Sequence, residues 1–143
     1  MKRAVMKWEI VGDVLIVVTT EGAVPDAIWN QFVRDIQTGP IRKFLGASTG
    51  ATEVSSTQRK STSEALSAKK IPTFVVTDDR LVRGVVTAAA WLGVDIKSFS
   101  WAELDKCVKQ MTADPKQATL LSSTLIALKL ACLAAAGEPR NSG

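Results

Sequence analysis

Residues 55–60, with the sequence SSTQRK, combine hydroxyl side chains with a basic pair at the start of a predicted helix. Ser55 and Gln58 have the spacing of a capping box, in which each side chain bonds the backbone of the other residue. The free N–H groups of that first turn would point outward and could bind an anion. Arg59 and Lys60 are unfavourable there unless a negative group lies nearby. The segment is a candidate anion site, and a solvated, serine-rich helix start is the simpler interpretation.

Two adjacent carboxylates, Asp78 and Asp79, follow a predicted strand and could contribute to a cation site. Neighbouring side chains point in different directions, however, so a helix cap at Asp78 is the favoured interpretation. The chain has no histidine, and no group near either cysteine would lower its thiol pKa, which excludes catalytic triads of the usual kind. An enzyme would have to use Asp78, Asp79 and Lys97, whose spacing selects no reaction. We therefore predict no catalytic residue, metal or cofactor.

The helix predicted after these carboxylates carries a candidate contact surface. Its apolar face, which we expect to be buried, comprises Leu81, Val82, Val85, Val86, Ala89 and Leu92. Trp91 lies off that face and close to Arg80 and Arg83 by helical spacing. Tryptophan and arginine are favoured at protein interfaces, although a neighbouring helix could equally cover this face. Asp78, Asp79, Arg80, Arg83 and Trp91 are the candidate partner-binding residues.

Composition and charge restrict the class of protein. The 143 residues are 46% hydrophobic and 22% charged, as expected for a globular chain with its own core. The net charge of +4 is scattered along the chain, which argues against a dedicated nucleic-acid binder. Residues 46–53, GASTGATE, lack the lysine and hydroxyl of a P-loop. The amino terminus has no apolar signal segment, so we expect a cytoplasmic protein. Cys107 and Cys132 lie in apolar helical patterns typical of buried, reduced thiols.

Apolar periodicity predicts strands that alternate with helices. Residues 4–10 alternate apolar and polar side chains, and residues 14–20 are continuously apolar, which together indicates an edge hairpin. The pattern then predicts strands at 41–48, 71–77 and 94–99, and helices from Pro25 to Thr38, from Ser55 to Lys69, from Asp78 to Leu92, and behind the capping box of Ser100 and Glu103.

This order predicts an α/β fold: a mostly parallel sheet of about five strands with an antiparallel edge hairpin, and helices packed on it. In such a sheet the loops that follow the parallel strands lie along one edge, where ligands usually bind. Those loops are 20–26, 49–55, 77–80 and 98–101.

An extra helix is predicted at the carboxyl end, beginning at Asp114 and Pro115. Residues 116–136 contain Lys116 and Lys129 as their only charges, and their leucines spread around much of the helix. Several hydroxyl side chains interrupt the run, so we predict no transmembrane segment. A helix that is apolar on most sides needs cover, either on its own domain or in a homodimer. We expect a domain at 1–113, this helix at 114–137 and a disordered tail at 138–143.

The order of elements resembles STAS domains, and particularly the small SpoIIAA-like proteins of bacteria. The resemblance covers roughly residues 5–112. It lies in KWEIVGDVLIVV as the opening hairpin, SSTQRKSTSEAL as the helix after the third strand, IPTFVVTDDRLVRGVVTAAAWLG as the next unit and IKSFSWAELDKCV as the last.

This resemblance implies a non-enzymatic signalling module that binds other proteins, in some members under control of serine phosphorylation. The phosphorylated serine of the family lies at the start of the helix after the third strand, which corresponds here to Ser55, Ser56 or Thr57. The family's Asp-Ser-Ser/Thr-Gly sequence is missing, since Glu53 and Val54 precede the serine pair.

A response-regulator receiver is the competing resemblance, because Thr77 ends the fourth strand and Lys97 lies in the fifth. The phosphoacceptor aspartate is absent, so only a pseudo-receiver would fit. The sequence thus predicts a cytoplasmic regulatory domain that binds a protein partner, with binding of an anion, nucleotide or lipid at residues 55–60 as the alternative.

Overall fold

The computed structural model describes residues 2–137, so the predicted tail at 138–143 lies outside the described residues. The five main strands are β1 (Met6–Val11), β2 (Val14–Thr19), β4 (Lys43–Ser48), β6 (Thr73–Val76) and β7 (Ile96–Phe99). They form one sheet in the order β1-β2-β4-β6-β7, antiparallel between β1 and β2 and parallel elsewhere. The predicted α/β fold with an antiparallel edge hairpin is confirmed.

A second, very short sheet was not predicted. It pairs β3 (Gly22–Ala23) with β5 (Thr52–Glu53) in parallel, beyond the carboxyl ends of β2 and β4. Gly22 is required there, because its φ is +116° and a Cβ at this position would lie 2.3 Å from the carbonyl oxygen of Lys2. The two-residue strands tie the loop after β2 to the loop after β4.

Five helices cover the sheet. They are α1 (Asp26–Thr38), α2 (Ser56–Ala68), α3 (Arg80–Trp91), α4 (Leu104–Met111) and α5 (Pro115–Gly137), with a 3₁₀ turn at Trp101–Glu103 before α4. The predicted boundaries therefore hold to within a few residues.

Side chains alternate along the strands and so divide the core between the two faces of the sheet. On one face, which we call the front, α1 and α2 pack on Leu15, Val17 and Phe44. On the other face, the back, α4 and α5 pack on Ile16, Val18 and other strand residues. The predicted inward residues of α1 and α4 are buried, apart from Ile28, which is partly buried: Trp29, Phe32, Val33 and Ile36 in α1, and Leu104, Cys107, Val108 and Met111 in α4.

Helix α3 does not bury the apolar face that was predicted for it. It lies on the front, since Val82 lines the same cavity as Trp29 and Phe32 of α1, and it packs mainly on β7. Only Val86 is buried. Leu81, Val85 and Leu92 are exposed, and Val82 and Ala89 are partly exposed. The predicted burial is wrong because α3 lies over the last strand, where no further element covers its outer side within residues 2–137.

Helix α5 packs on the back of β2 and β1 and against α4. Its buried residues are Ala118, Leu121, Leu125 and Cys132. It is also the one helix in residues 2–137 that is long and apolar enough to cross a membrane, with a mean hydropathy of 1.8. That criterion is weak evidence, because core helices of soluble proteins meet it too. The absence of a transmembrane segment remains a prediction, since the docked stripe accounts for the buried residues of this helix and only 17% of its apolar window is buried.

Candidate functional site

The loops that follow the parallel strands lie together, as predicted. The Ser48 and Thr77 hydroxyl oxygens, at the ends of β4 and β6, are 2.7 Å apart. The hydroxyls of Thr19 and Thr52 are 3.1 Å apart at the next position along the sheet. A row of two hydrogen-bonded hydroxyl pairs therefore lies at the carboxyl ends of β2, β4 and β6.

A cleft of about 480 Å³ opens beside this row. Loop residues 48–51 form one side, and Asp78, Asp79 and Trp101 form the other. Lys129 and Leu133 of α5 complete the lining, and the Lys129 ammonium lies 4.1 Å from the centre of the Trp101 ring. This cation–π contact holds α5 over the end of the sheet.

The two carboxylates of the cleft act as structural acceptors. Asp79 is the N-cap of α3, because its carboxylate accepts from the Leu81 backbone N–H at 2.9 Å. Asp78, which we predicted as the cap, instead accepts from the Trp101 backbone N–H at 3.1 Å and so joins the loops after β6 and β7. The N-cap of α3 thus lies one residue later than predicted, because the Asp78 carboxylate bonds Trp101 instead.

Among residues 2–137, three titratable groups have clearly shifted pKa values. Hydrogen bonds from the backbone and hydroxyl of Ser100 lower the pKa of the Glu103 carboxyl. Burial raises the pKa of the Cys107 thiol to about 12 and also raises that of Cys132. Both thiols are buried and unbonded to each other, and a protonated thiol is a poor nucleophile. Among residues 2–137 no group of three or more acidic or cysteine side chains could hold a metal ion.

The start of α2 has the predicted capping box. The Gln58 N–H donates to the Ser55 hydroxyl at 3.1 Å, and the Ser55 N–H donates to the Gln58 side-chain oxygen at 3.2 Å. The Gln58 amide is buried and also donates to the carbonyl of Val24 and the carboxylate of Asp26. The Gln58 side chain thus connects the start of α2 to the start of α1, where the Asp26 carboxylate is the negative group.

The five candidates for phosphorylation or anion binding, Ser55, Ser56, Thr57, Arg59 and Lys60, are all exposed. The Arg59 guanidinium lies 3.5 Å from the carbonyl oxygen of Val54. Anion binding and phosphorylation at this segment remain predictions, and the confirmed feature is the cap.

The partner-binding candidates of α3 lie on an open surface. Leu81 is 78% exposed, Trp91 87% and Leu92 86%. Together with Val85 and Ala88, which are also exposed, these residues form the α3 surface. Arg80 is exposed at its amino end, and Arg83 lies 3.9 Å from the Glu103 carboxylate. The structure therefore brings Trp91 and both arginines onto one helix, whereas Asp79 caps that helix and Asp78 bonds the loop after β7.

An apolar cavity of about 250 Å³ lies between the front of the sheet and α1, α2 and α3. Its lining includes Phe32, Phe44 and Val75. It exists because α2 has few large apolar side chains, Ala65 being the one fully buried apolar residue of that helix. Sequence reasoning missed this cavity, and the scarcity of apolar residues between Ser56 and Ala68 was the signal that could have indicated it.

No model of a known protein family matches this chain, and no curated protein matches it.

Proposed function

We propose that this chain is a regulatory domain that binds a protein partner through the α3 surface. The observation that carries the proposal is the exposure of Leu81, Trp91 and Leu92 on one helix at the end of the sheet. Monomeric proteins rarely leave contiguous apolar patches uncovered, and such patches mark interaction sites.

The spacing of the α3 surface suits packing against another element. Leu81, Val85, Ala88 and Leu92 recur at i, i+4, i+7 and i+11, so they form one stripe along the helix. Full burial of a large apolar side chain contributes about 1.5–3 kcal/mol relative to exposure. Trp91 and Arg83 belong to the residue types that dominate interface energies.

We further propose that the domain is of the STAS type and acts in signalling without catalysis. The support is the order of elements, an antiparallel hairpin followed by parallel strands and helices in turn. The alternative of a pseudo-receiver finds no support in this topology, because receivers have an all-parallel sheet in the order 2-1-3-4-5. Control by phosphorylation at Ser56 or Thr57 is compatible with their exposure.

The proposal is tested by affinity capture from extracts of the cells that produce the protein, with quantitative mass spectrometry. The test variant is Trp91→Ala with Leu92→Ser, and the matched control is Leu120→Ser with Leu130→Ser, which removes two exposed leucines from α5. We expect one or more proteins captured by the wild type and the control to be reduced at least about tenfold with the test variant.

Capture of the same proteins in equal amounts by the wild type and both variants would overturn the proposal. Melting curves of the three chains should coincide within a few degrees, because all four substituted residues are exposed. A loss of capture is then attributable to the α3 surface rather than to unfolding.

A further inference from the structure

Strand β7 is an open edge of the sheet. It pairs with β6 on one side, and within residues 2–137 no strand pairs with its other side. The Thr73 N–H donates to the Asp95 carbonyl at 2.9 Å, and the Thr77 N–H donates to the Phe99 carbonyl at 2.8 Å. Residues 95 and 99 therefore direct their backbone groups toward β6. Because alternate residues of a strand bond to opposite neighbours, the carbonyl of Ile96 and the N–H and carbonyl of Ser98 face the open side.

A groove of about 350 Å³ runs along this edge. One wall is α3, through Val86, Ala90 and Trp91, and Gln110 of α4 stands on the other side. The backbone of β7 forms the floor between them. An extended chain laid in this groove would find backbone partners below it and apolar contacts beside it.

The charges around the groove are mainly basic. Lys97 lies in β7 itself and is exposed. Lys106 lies one turn before Gln110, on the same side of α4, and Arg83 lies one turn before Val86 and Thr87 on α3. The acids nearby are Glu103, which lies 3.9 Å from Arg83, and the exposed Asp95, which directly precedes β7. An acidic chain is therefore complementary in charge to this edge.

We propose that the protein partner binds as an extended acidic segment that adds a sixth strand to the sheet along β7. Backbone hydrogen bonds to Ile96 and Ser98 would supply register, and Trp91 would cover the side chains that face α3. The inference rests on the proposed function and goes beyond it, because it names the partner's conformation and charge. It also explains why Trp91, at the end of α3, remains uncovered.

The test uses the full chain and peptides of eight residues selected on it from a random display library. We expect selected peptides to alternate acidic and β-branched or aromatic residues, and to bind with an affinity that falls as salt is added. Methylation of alternate peptide nitrogens distinguishes strand addition from contact through side chains alone. One alternating set should weaken binding about tenfold or more, and the other set should change it less than about twofold.

Matched variants localise the site on the protein. Lys97→Glu should weaken binding of the selected acidic peptides about fivefold to tenfold, whereas Lys116→Glu, the same charge change on the exposed first turn of α5, should leave it within about twofold. Amide exchange should slow at Ser98 when the peptide is bound, because its N–H becomes hydrogen-bonded.

Three outcomes would overturn the inference. In the first, the library yields no peptide that Lys97→Glu weakens. In the second, both methylated sets bind as well as the parent peptide and Ser98 exchange is unchanged, while Trp91→Ala with Leu92→Ser still reduces capture. The proposed function then stands and strand addition fails. In the third, light scattering shows a dimer that Lys97→Glu dissociates, so that a second copy occupies the edge. If instead selected peptides meet every expectation but Trp91→Ala with Leu92→Ser captures the same cell proteins as the wild type, the proposed α3 surface fails separately.

Discussion

Ser55 and Gln58 show how a local pair of residues fixes a helix start. Their reciprocal hydrogen bonds satisfy two backbone N–H groups. Because loss of such a cap destabilises proteins, we expect Ser55→Ala to lower the free energy of unfolding by about 1 kcal/mol in urea denaturation. Ser56→Ala is the control, since Ser56 is exposed one residue later, and it should change that free energy by less than about 0.5 kcal/mol. Equal effects of the two substitutions would contradict the cap.

Cys107 gives a prediction for the dependence of stability on pH. Burial raises the pKa of its thiol from 9.0 to about 12, so the folded state binds the proton more tightly than the unfolded state. Its contribution to stability is then fully present below about pH 9 and is lost as the pH rises toward 12.

We expect the free energy of unfolding in urea to fall between pH 9 and pH 10.5, by up to about 1.4 kcal/mol per pH unit for this thiol. The decline should be smaller in Cys107→Ala, which retains the buried Cys132 as the remaining thiol. The same slope in both chains would show that other groups cause it.

Residue patterns predicted the caps where the chemistry is local. The boxes of Ser55 with Gln58 and of Ser100 with Glu103 both formed, because a segment of four residues contains all the information. By contrast, Asp79 rather than Asp78 caps α3, because the Asp78 carboxylate bonds the backbone N–H of Trp101. Trp101 is more than twenty residues away and reaches Asp78 only in the folded sheet.

At the scale of elements, α3 offers two adjacent valines in opposite environments. Val85 is 57% exposed and Val86 is 5% exposed. We expect Val86→Ala to lower the free energy of unfolding by about 2 kcal/mol, because it leaves a cavity against β7. Val85→Ala should be neutral or slightly stabilising, since alanine has the higher helix propensity. Urea denaturation of the two variants measures both, and a large loss from Val85→Ala would mean that another element covers this face.

Periodicity predicted that α3 is a helix but could not predict which of its apolar residues are covered. The stripe of Leu81, Val85 and Leu92 looks like a core stripe in the sequence, because hydrophobic spacing contains no information on whether a neighbour is present. Its exposure follows from the position of β7 at the end of the sheet. The same limit applies to α5, where four exposed large apolar residues, Leu120, Ile126, Leu130 and Leu133, could not be separated from the buried ones.

For the whole molecule, the question is whether α5 belongs to the same cooperative folding unit as the sheet. Leu121 and Leu125 are buried against the back of the sheet, and Cys132 lies 3.6 Å from the carbonyl oxygen of Val18. Burial of each leucine contributes about 1.5–3 kcal/mol, a large part of the 5–15 kcal/mol typical of a domain. We therefore expect a chain of residues 1–113 to lose its cooperative thermal transition.

Circular dichroism melts and light scattering check this expectation against a control chain of residues 1–137, which retains every element that the structure describes. The control should melt like the full chain, and the shorter chain should aggregate through the uncovered strands. A soluble 1–113 chain with an unchanged melting temperature would show that α5 is an independent appendage.

The order of the strands has a consequence for ligand binding. From β2 through β4 and β6 to β7 the chain always moves in one direction across the sheet, so α1, α2 and α3 share a single face. Nucleotide-binding sheets reverse direction near their middle, and the crevice at that reversal accommodates the cofactor. A sheet wound in one direction has no such reversal, and the cleft at its strand ends is lined by its own hydroxyl, carboxylate and indole groups. The last strand of the chain, β7, lies at one edge of this sheet. The winding therefore leaves that edge available for the added strand of the proposed partner.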